Sequence, residues 1–190
     1  KCRLYPFIKK EIMHNGIIKI EDSNLDLFSF LLKIIISQQI SDKASKTIWG
    51  KLCTECKTKF LSISNFPSIR FLDRILNKVN VASYKKKYIF ELFKSILKKK
   101  IDVNRLIKMD EDEIRNNIQK HKGMGPWTCD MFLIFYLKKI NVFPKKDLII
   151  RKMILKLEEE EGTKINYIKN FSPFLSIFSL HLWKMSKRIL

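Results

Sequence analysis

The stretch that decides the fold runs from Ile118 to Lys152 and reads IQKHKGMGPWTCDMFLIFYLKKINVFPKKDLIIRK. Its middle holds Gly123-Met124-Gly125, two glycines around one apolar residue, which permits a tight turn because glycine tolerates positive φ. Pro126 follows, and its fixed φ suits the first position of a helix. Apolar residues at helical spacing flank the turn, so the stretch predicts a helix, a hairpin and a second helix. The backbone N–H groups at the start of that second helix form a ready phosphate site.

A single acid, Asp147, follows the hairpin at the end of the segment VFPKK. Taken singly, each feature has a plain structural interpretation, since most Gly-x-Gly turns only connect helices and a lone loop acid is usually solvated. The turn, the Pro126-Trp127-Thr128 entry, the apolar helix and Asp147 occur together in one order. That combination favours a functional interpretation of the whole stretch.

Length and composition limit the size and class of the fold that contains this stretch. The chain has 190 residues, 46% of them hydrophobic and 14 of them Phe, which is enough for one compact unit or two small lobes sharing a cleft. Apolar residues recur every three to four positions, which predicts an all-α fold. The most apolar stretch, Leu25–Ile36, is interrupted by Lys33 and is too short to span a bilayer.

The same periodicity predicts the individual helices. The expected ranges are Leu4–Met13, Asn24–Ser37, Ser41–Leu52, Ile69–Leu76, Tyr84–Lys98, Asp110–Lys122, Pro126–Lys138, Asp147–Leu157 and Pro173–Lys187. The acidic run Glu158–Glu161 is expected to be a solvated helix end, and the alternative is a face that repels DNA.

The net charge points to an anionic partner. Lys and Arg number 38 against 19 Asp and Glu, giving +19, and nucleic acid is the partner that such an excess favours. Lys, Asn and Ile are abundant throughout, so compositional bias with solvated lysines is the alternative explanation. The sequence shows no secretory signal, but it begins at Lys1 rather than Met, so we expect it to be a fragment and leave a lost targeting segment open.

The four cysteines predict reduced thiols and no metal site. Cys53 and Cys56 have the spacing of half a zinc knuckle or of a redox motif, but no second pair lies near them. Cys2 and Cys129 are isolated, and the three histidines are scattered.

Together these motifs resemble the 3-methyladenine DNA glycosylase II family, within the helix-hairpin-helix superfamily of base-excision DNA glycosylases. The resemblance covers almost the whole chain and includes Cys2–Lys10, Phe30–Leu52, Val81–Leu92 and Ser172–Lys184. It implies a single helix-hairpin-helix glycosylase unit over residues 1–190, built from two small helical lobes with the active-site cleft between them. The hairpin motif would occupy residues 110–138 and the catalytic loop residues 140–151. The alternative is a generic helical bundle.

The resemblance also implies residue roles. It makes Asp147 the catalytic aspartate; Trp127, Met131 and Trp183 the base pocket; Gln39 and Gln38 the DNA wedge; and Gly123, Met124, Gly125 and Thr128 the phosphate-binding hairpin. Trp127 stands where bifunctional relatives carry a Schiff-base lysine, so no lyase activity is implied. A helix-capping turn at Gln39 and core packing of the tryptophans are the structural alternatives.

The chemistry explains these residue types. Cleavage of an N-glycosidic bond passes through a transition state resembling an oxocarbenium ion, which a carboxylate stabilises. Alkylated purines such as 3-methyladenine and 7-methylguanine are cationic, and an indole face attracts cations. The resemblance therefore implies a monofunctional enzyme that excises alkylated purines. The alternatives are a glycosylase for another damaged base and a non-catalytic DNA-binding module.

Cofactor, partner and location follow in the same way. We expect no iron–sulfur cluster, and a structural Na⁺ or K⁺ on the hairpin carbonyls is left open. We expect a monomer that binds double-stranded DNA containing damaged bases and does not bind a membrane. The protein is expected to be intracellular, and nuclear in a eukaryote, with an organellar address left open by the missing start. Three departures from the family stand out: Leu175 replaces an Arg, Asn80 a Gly, and Met131 an aromatic residue.

Overall fold

The computed structural model describes residues 5–190, and within that range every regular element is a helix. The α-helices are α1 (Pro6–Asn15), α2 (Leu27–Ser37), α3 (Asp42–Glu55), α4 (Ile69–Lys78), α5 (Ser83–Leu97), α6 (Val103–Leu106), α7 (Glu111–Gln119), α8 (Pro126–Met131), α9 (Leu148–Glu161), α10 (Tyr167–Phe171) and α11 (Leu175–Ile189). A 3-10 turn spans Ile63–Asn65, and a π-helical turn, Phe132–Tyr136, directly follows α8. The predicted all-α fold is confirmed.

Capping residues explain where several helices begin. Asp26 caps α2 by accepting from Ser29 N at 2.8 Å, so this helix starts later than the predicted Asn24. Its other carboxylate oxygen accepts from Ile63 N at 2.6 Å and fixes the 3-10 turn. Asp110 and Glu113 form a reciprocal capping box at the start of α7, which satisfies two backbone donors.

Several expectations about helix extent are wrong, including the end of α9, which lies at Glu161 rather than at Leu157. The second hairpin helix was expected to continue to Lys138, but α-helical geometry ends at Met131 and a π-turn follows. A π-turn inserts an extra residue into the helical repeat, which a period of 3.6 does not describe. The helix α7 ends at Gln119 rather than Lys122, and α1 runs to Asn15 rather than Met13. Cys2 and Leu4 lie outside the described residues.

The described chain divides into two compact units. The central unit is Ser23–Cys129, and the N/C unit joins the described residues up to Asp22 with Asp130–Leu190. In the central unit α2 packs against α3 and α5, and α4 packs against both α3 and α5. The Phe28 ring makes edge contacts with Phe66 at 5.6 Å and Phe93 at 5.5 Å, which centres the core on α2.

The N/C unit has its own core around α9 and α11. The helix α1 packs on both of them, and α10 packs on α11. The Phe171 and Phe178 rings stack at 3.9 Å, with Tyr167 against Phe178 at 5.7 Å. These aromatic rings bury a large apolar area in the core of this unit.

The acidic side chains at the C-terminal end of α9 make more contacts than expected. Glu158 is mostly buried, pairs with Lys164 at 2.7 Å and accepts from Ile165 N at 3.1 Å. Glu161 accepts from Ile8 N at 2.8 Å and so ties α1 to α9. Glu159 and Glu160 in the middle of the run are exposed and pair with Lys156, so the expectation of a solvated helix end was wrong for Glu158 and Glu161 only. In the described part of the chain, no helix combines the length and apolarity needed to cross a membrane.

Candidate active site

The turn Gln38–Ile40 links α2 to α3 and contains the residues predicted to form the wedge. Gln38 is the C-cap of α2, and Gln39 has a left-handed backbone with φ of +56°. Ser41 then caps α3 by accepting from Ala44 N at 3.2 Å. A non-glycine residue at positive φ is uncommon and marks a turn that its surroundings must hold in place. We call Gln38–Ile40 the wedge turn.

The two glutamines of the wedge turn have different environments. Gln39 is exposed. The Gln38 side chain is partly buried, and its Nε2 donates to Gly123 O at 2.7 Å and to Thr128 Oγ1 at 3.0 Å. Gln38 therefore bridges the wedge turn to the hairpin, and Gln39 is the side chain directed to solvent.

The hairpin Gly123–Gly125 lies between α7 and α8, as predicted. Gly123 has φ of +81°, and a Cβ placed on it would collide with the Tyr88 ring. Met124 is buried and anchors the turn. Gly125 has open space on its Cβ side, and its carbonyl accepts from Cys129 N at 3.1 Å to begin α8. The backbone at Gly125 is thus open to a close approach from outside.

The first residues of α8 separate a solvent-facing position from a buried one. Pro126 opens the helix and is exposed, and Trp127 is partly exposed. Thr128 is 2% exposed, and its hydroxyl accepts the hydrogen bond from Gln38. Its side chain supports the hairpin from within and does not face solvent.

Asp147 is the N-cap of α9 and is 7% exposed. Its Oδ1 accepts from Ile150 N at 2.9 Å, and its own N–H donates to Pro144 O at 2.9 Å. A carboxylate at a helix N-terminus is stabilised by the helix dipole. The side chain is therefore held in one orientation by the fold, while Lys145 and Lys146 before it are exposed.

The loop before Asp147 is fixed by Ser176 of α11. The Ser176 hydroxyl, which is fully buried, donates to Lys139 O at 2.6 Å and accepts from Val142 N at 3.0 Å. Its backbone N–H donates to Ile140 O at 2.9 Å. The role of Ser176 could not be read from the sequence, because a serine in the first turn of a helix has no signature of a long-range contact.

Met131 and Trp183, two of the predicted pocket residues, belong with Asp147 to the N/C unit. Met131 ends α8 and is 5% exposed. Trp183 is partly buried, with its ring 5.7 Å from that of Phe135. Trp127, the wedge turn and the hairpin belong to the central unit.

The thiols and the apolar groove of the N/C unit lie outside this set of residues. Burial raises the pKa of both Cys53 and Cys56, so neither is an activated thiolate. Among residues 5–190 no group of three His, Cys, Asp or Glu side chains has metal-binding geometry. A groove of about 610 Å³ lies in the N/C unit. It is lined by Phe143, Lys145, Ile154, Lys164, Ile165, Asn166, Tyr167 and Ile168, and so includes none of the predicted pocket residues.

Comparison with known proteins gives the family. DNA-3-methyladenine glycosylase 1 of Schizosaccharomyces pombe is 31% identical over 173 residues, which cover 83% of this chain and 71% of that protein. The chain belongs to the DNA-3-methyladenine glycosylase family. The DNA-3-methyladenine glycosylase of Saccharomyces cerevisiae is 27% identical over 204 residues, covering 85% of this chain and 67% of that one. No family model matches the chain.

The fold agrees with that membership. The structure of the Schizosaccharomyces pombe 3-methyladenine DNA glycosylase in complex with abasic DNA superposes with a TM-score of 0.78 at 22% identity, covering 98% of this chain and 93% of that one. The resemblance predicted from the hairpin and Asp147 is confirmed, for the family and for the fold.

Proposed function

We propose that this chain is a monofunctional DNA glycosylase that removes alkylated purines by hydrolysing the N-glycosidic bond. The observation that carries the proposal is Asp147, a buried carboxylate locked as the N-cap of α9 directly after VFPKK. The relatives named above are DNA-3-methyladenine glycosylases, which supports the reaction and the substrate class.

The reaction asks for a carboxylate held in place before the substrate arrives. The bond between C1′ and the base nitrogen breaks with its electron pair going to the base, so a cationic alkylpurine leaves as a neutral molecule. The sugar acquires oxocarbenium character, and the Asp147 carboxylate stabilises that charge without having to reorient. Water then bonds to C1′ and gives its proton to the carboxylate.

The central unit supplies DNA binding in this proposal. The backbone around Gly125 and the first turn of α8 accept a phosphate, with Gly123, Met124 and buried Thr128 shaping the hairpin beneath it. The exposed Gln39 enters the space that the damaged base leaves when it turns out of the stack. The Lys and Arg excess attracts the duplex as a whole.

The base pocket and the absence of lyase chemistry remain parts of the proposal. Trp127 and Trp183 would offer indole faces to a cationic base, and Met131 would form part of the wall. With Trp127 at the lyase position, no amine attacks C1′ and the product is an intact abasic strand. Rates on cationic lesions and on neutral ones such as hypoxanthine separate this substrate class from another damaged base.

A cation at the hairpin, the oligomeric state and the cellular location also remain proposals. The carbonyls of His121 and Gly123 already accept hydrogen bonds, from Met124 N at 3.1 Å and from Gln38 Nε2. Each oxygen keeps a second lone pair, which fits a hairpin Na⁺ or K⁺. A monomer and a nuclear address in a eukaryote are proposed on the same family basis.

Asp147→Asn tests the proposal. Asparagine is as good an N-cap as aspartate, so the fold and DNA binding should be kept while excision of 3-methyladenine falls by several orders of magnitude. Asp102→Asn, at the N-cap of α6, is the matched control and should leave excision unchanged. Substantial base release by a folded Asp147→Asn protein would contradict the catalytic role. No release by the wild type would favour a DNA-binding module instead.

A further inference from the structure

The end of α2 holds a buried ammonium group that the reaction does not use directly. Lys85 of α5 is 4% exposed, and its Nζ donates to Ile36 O at 2.7 Å and to Gln38 O at 2.6 Å. A cation at a helix C-terminus is stabilised by the dipole and by the unpaired carbonyls of the last turn. Burial itself is unfavourable for a charge and lowers the pKa of Lys85. Two short bonds to backbone offset that cost and fix the main chain of Gln38.

Gln38 is held at both of its ends. Lys85 binds its carbonyl, while its side-chain amide binds Gly123 O and Thr128 Oγ1. The strained residue Gln39 is the next one along. A left-handed non-glycine backbone is unfavourable unless its surroundings hold it, and here the preceding residue has no freedom to relax.

The helix α5 also supports the hairpin. Tyr88 lies one helical turn after Lys85, on the same side of α5, because residues three apart are neighbours on a helix surface. Its ring packs so closely against Gly123 that no Cβ fits there. One face of α5 therefore contacts the wedge turn through Lys85 and the hairpin through Tyr88, and Gln38 joins the two.

We propose that Lys85 is a positioning residue that fixes the wedge turn relative to the hairpin, so that Gln39 enters the duplex at a set distance from the bound phosphate. The inference rests on the proposed function and deepens it. It gives the buried lysine a role in base eversion rather than in charge attraction. A misplacement of about 1 Å at such a site lowers a rate by about a hundredfold.

Lys85→Met, compared with Lys87→Met, tests the inference. Both variants lose one positive charge, and Lys87 is an exposed neighbour on α5. We expect Lys85→Met to lower single-turnover excision of 3-methyladenine by about tenfold to a hundredfold relative to Lys87→Met. The fluorescence rise of 2-aminopurine placed beside the lesion, which reports insertion of the wedge, should shrink in Lys85→Met alone.

Salt dependence separates positioning from phosphate binding. Affinity for an undamaged duplex falls as salt rises, and the slope of log affinity against log salt measures how steep that fall is. The fall should be at least as steep for Lys85→Met as for Lys87→Met. A phosphate contact at Lys85 would reduce the slope by about one unit and would overturn the inference. Equal excision and equal 2-aminopurine signals in the two variants would overturn it as well, provided that the wild type releases base. A wild type that releases none would instead refute the proposed function.

Gln38→Ala keeps the inference testable if Lys85→Met does not fold. It removes the bridge without leaving an uncompensated buried charge, and we expect a similar loss of excision with an unchanged salt slope. Where both single variants fold, the double variant should lose no more than the more impaired single variant, since both act through one linkage. Normal excision by Gln38→Ala, or additive losses in the double variant, would contradict the linkage.

Discussion

Gly123 and Gly125 occupy one turn but have different surroundings. Gly123 has a positive φ and lies directly against the Tyr88 ring, whereas Gly125 has no atom within 4 Å of the place where a Cβ would stand. A left-handed backbone disfavours any L side chain, and the Tyr88 contact adds a steric cost at Gly123 only. The first glycine is thus required by the fold, and the second leaves room for a ligand.

These surroundings predict that substitution of Gly123 mainly lowers stability and that substitution of Gly125 mainly lowers DNA binding. Gly123→Ala should lower the free energy of unfolding by about 2 kcal/mol or more, whereas Gly125→Ala should lower it by about 1 kcal/mol or less, because it replaces the glycine whose carbonyl begins α8. Gly125→Val should keep the fold but weaken binding to duplexes of any sequence, because a branched side chain blocks the phosphate. Urea unfolding and fluorescence anisotropy measure the two effects. Normal DNA binding by Gly125→Val would make the hairpin a connector only.

At the scale of single residues, the sequence predicted where a residue lies along the fold better than which residues it contacts. The spacing of the motif indicated Pro126 at the start of a helix and Asp147 after the loop, and both positions follow from local backbone preferences. The difference between Gln38 and Gln39 could not be predicted. It depends on Lys85 and Gly123, which are distant in sequence from the wedge turn and meet it only in the folded unit.

At the scale of elements, Ser176 and Ser179 make a contrast on one helix. Both are fully buried in α11, but Ser176 binds the loop at Lys139 and Val142, whereas the Ser179 hydroxyl donates to Leu175 O of its own helix. The loss of Ser176 leaves a buried N–H and a carbonyl outside the helix without their partner. The loss of Ser179 removes only an extra bond to a carbonyl in the helix.

Ser176→Ala should therefore lower the free energy of unfolding by about 1–3 kcal/mol, and Ser179→Ala by less. The Ser176 substitution also frees the loop that carries Asp147, so excision should fall while DNA affinity is kept. Single-turnover kinetics, measured well below the unfolding temperature, test this effect. If Ser176→Ala lowers excision equally in the wild-type and Asp147→Asn backgrounds, the effect does not act through Asp147.

The longer helices were predictable, and three of the shortest elements were not. The helices α3, α5 and α11 differ from their predicted ranges by only a few residues, because each repeats an apolar position over several turns. The 3-10 turn Ile63–Asn65, α6 and α10 are too short to show a period. They arise from capping side chains such as Asp102 and Asn166 and from packing within their units.

At the scale of the whole molecule, many acidic side chains form ion pairs with lysines or arginines, and basic side chains are in excess. Several acids are engaged in ion pairs, including Asp42 with Lys46, Glu55 with Lys78, Glu111 with Arg115, Glu11 with Arg188 and Glu158 with Lys164. A pair with both side chains exposed, such as Asp42–Lys46, adds little stability, about 0–1 kcal/mol. Because half as many acids as bases are available, the unpaired charge is positive, as expected for a protein that binds an anionic polymer.

Two histidines, one in each unit, link stability to pH. Burial, with a smaller contribution from Lys184, lowers the pKa of His181, and burial also lowers that of His121. At His181 the hydrogen bonds also favour the neutral ring. Asn15 Oδ1 accepts from Arg188 at 2.9 Å, which orients Asn15 Nδ2 toward His181 Nδ1 at 3.2 Å. That ring nitrogen must accept, so the imidazole is neutral in the fold.

A lowered histidine pKa means that the unfolded chain binds the proton more tightly than the folded one. Stability is then complete above the ordinary pKa of about 6.5 and is lost as pH falls through the lower, folded value. We expect the free energy of unfolding from urea titrations to be smaller at pH 5.5 than at pH 7.5, with little change from pH 7.5 to 8.5 as the control. His181→Gln removes one titrating group and should reduce the fall between pH 7.5 and 5.5. An undiminished fall in that variant would mean that Asn15 does not hold His181 neutral.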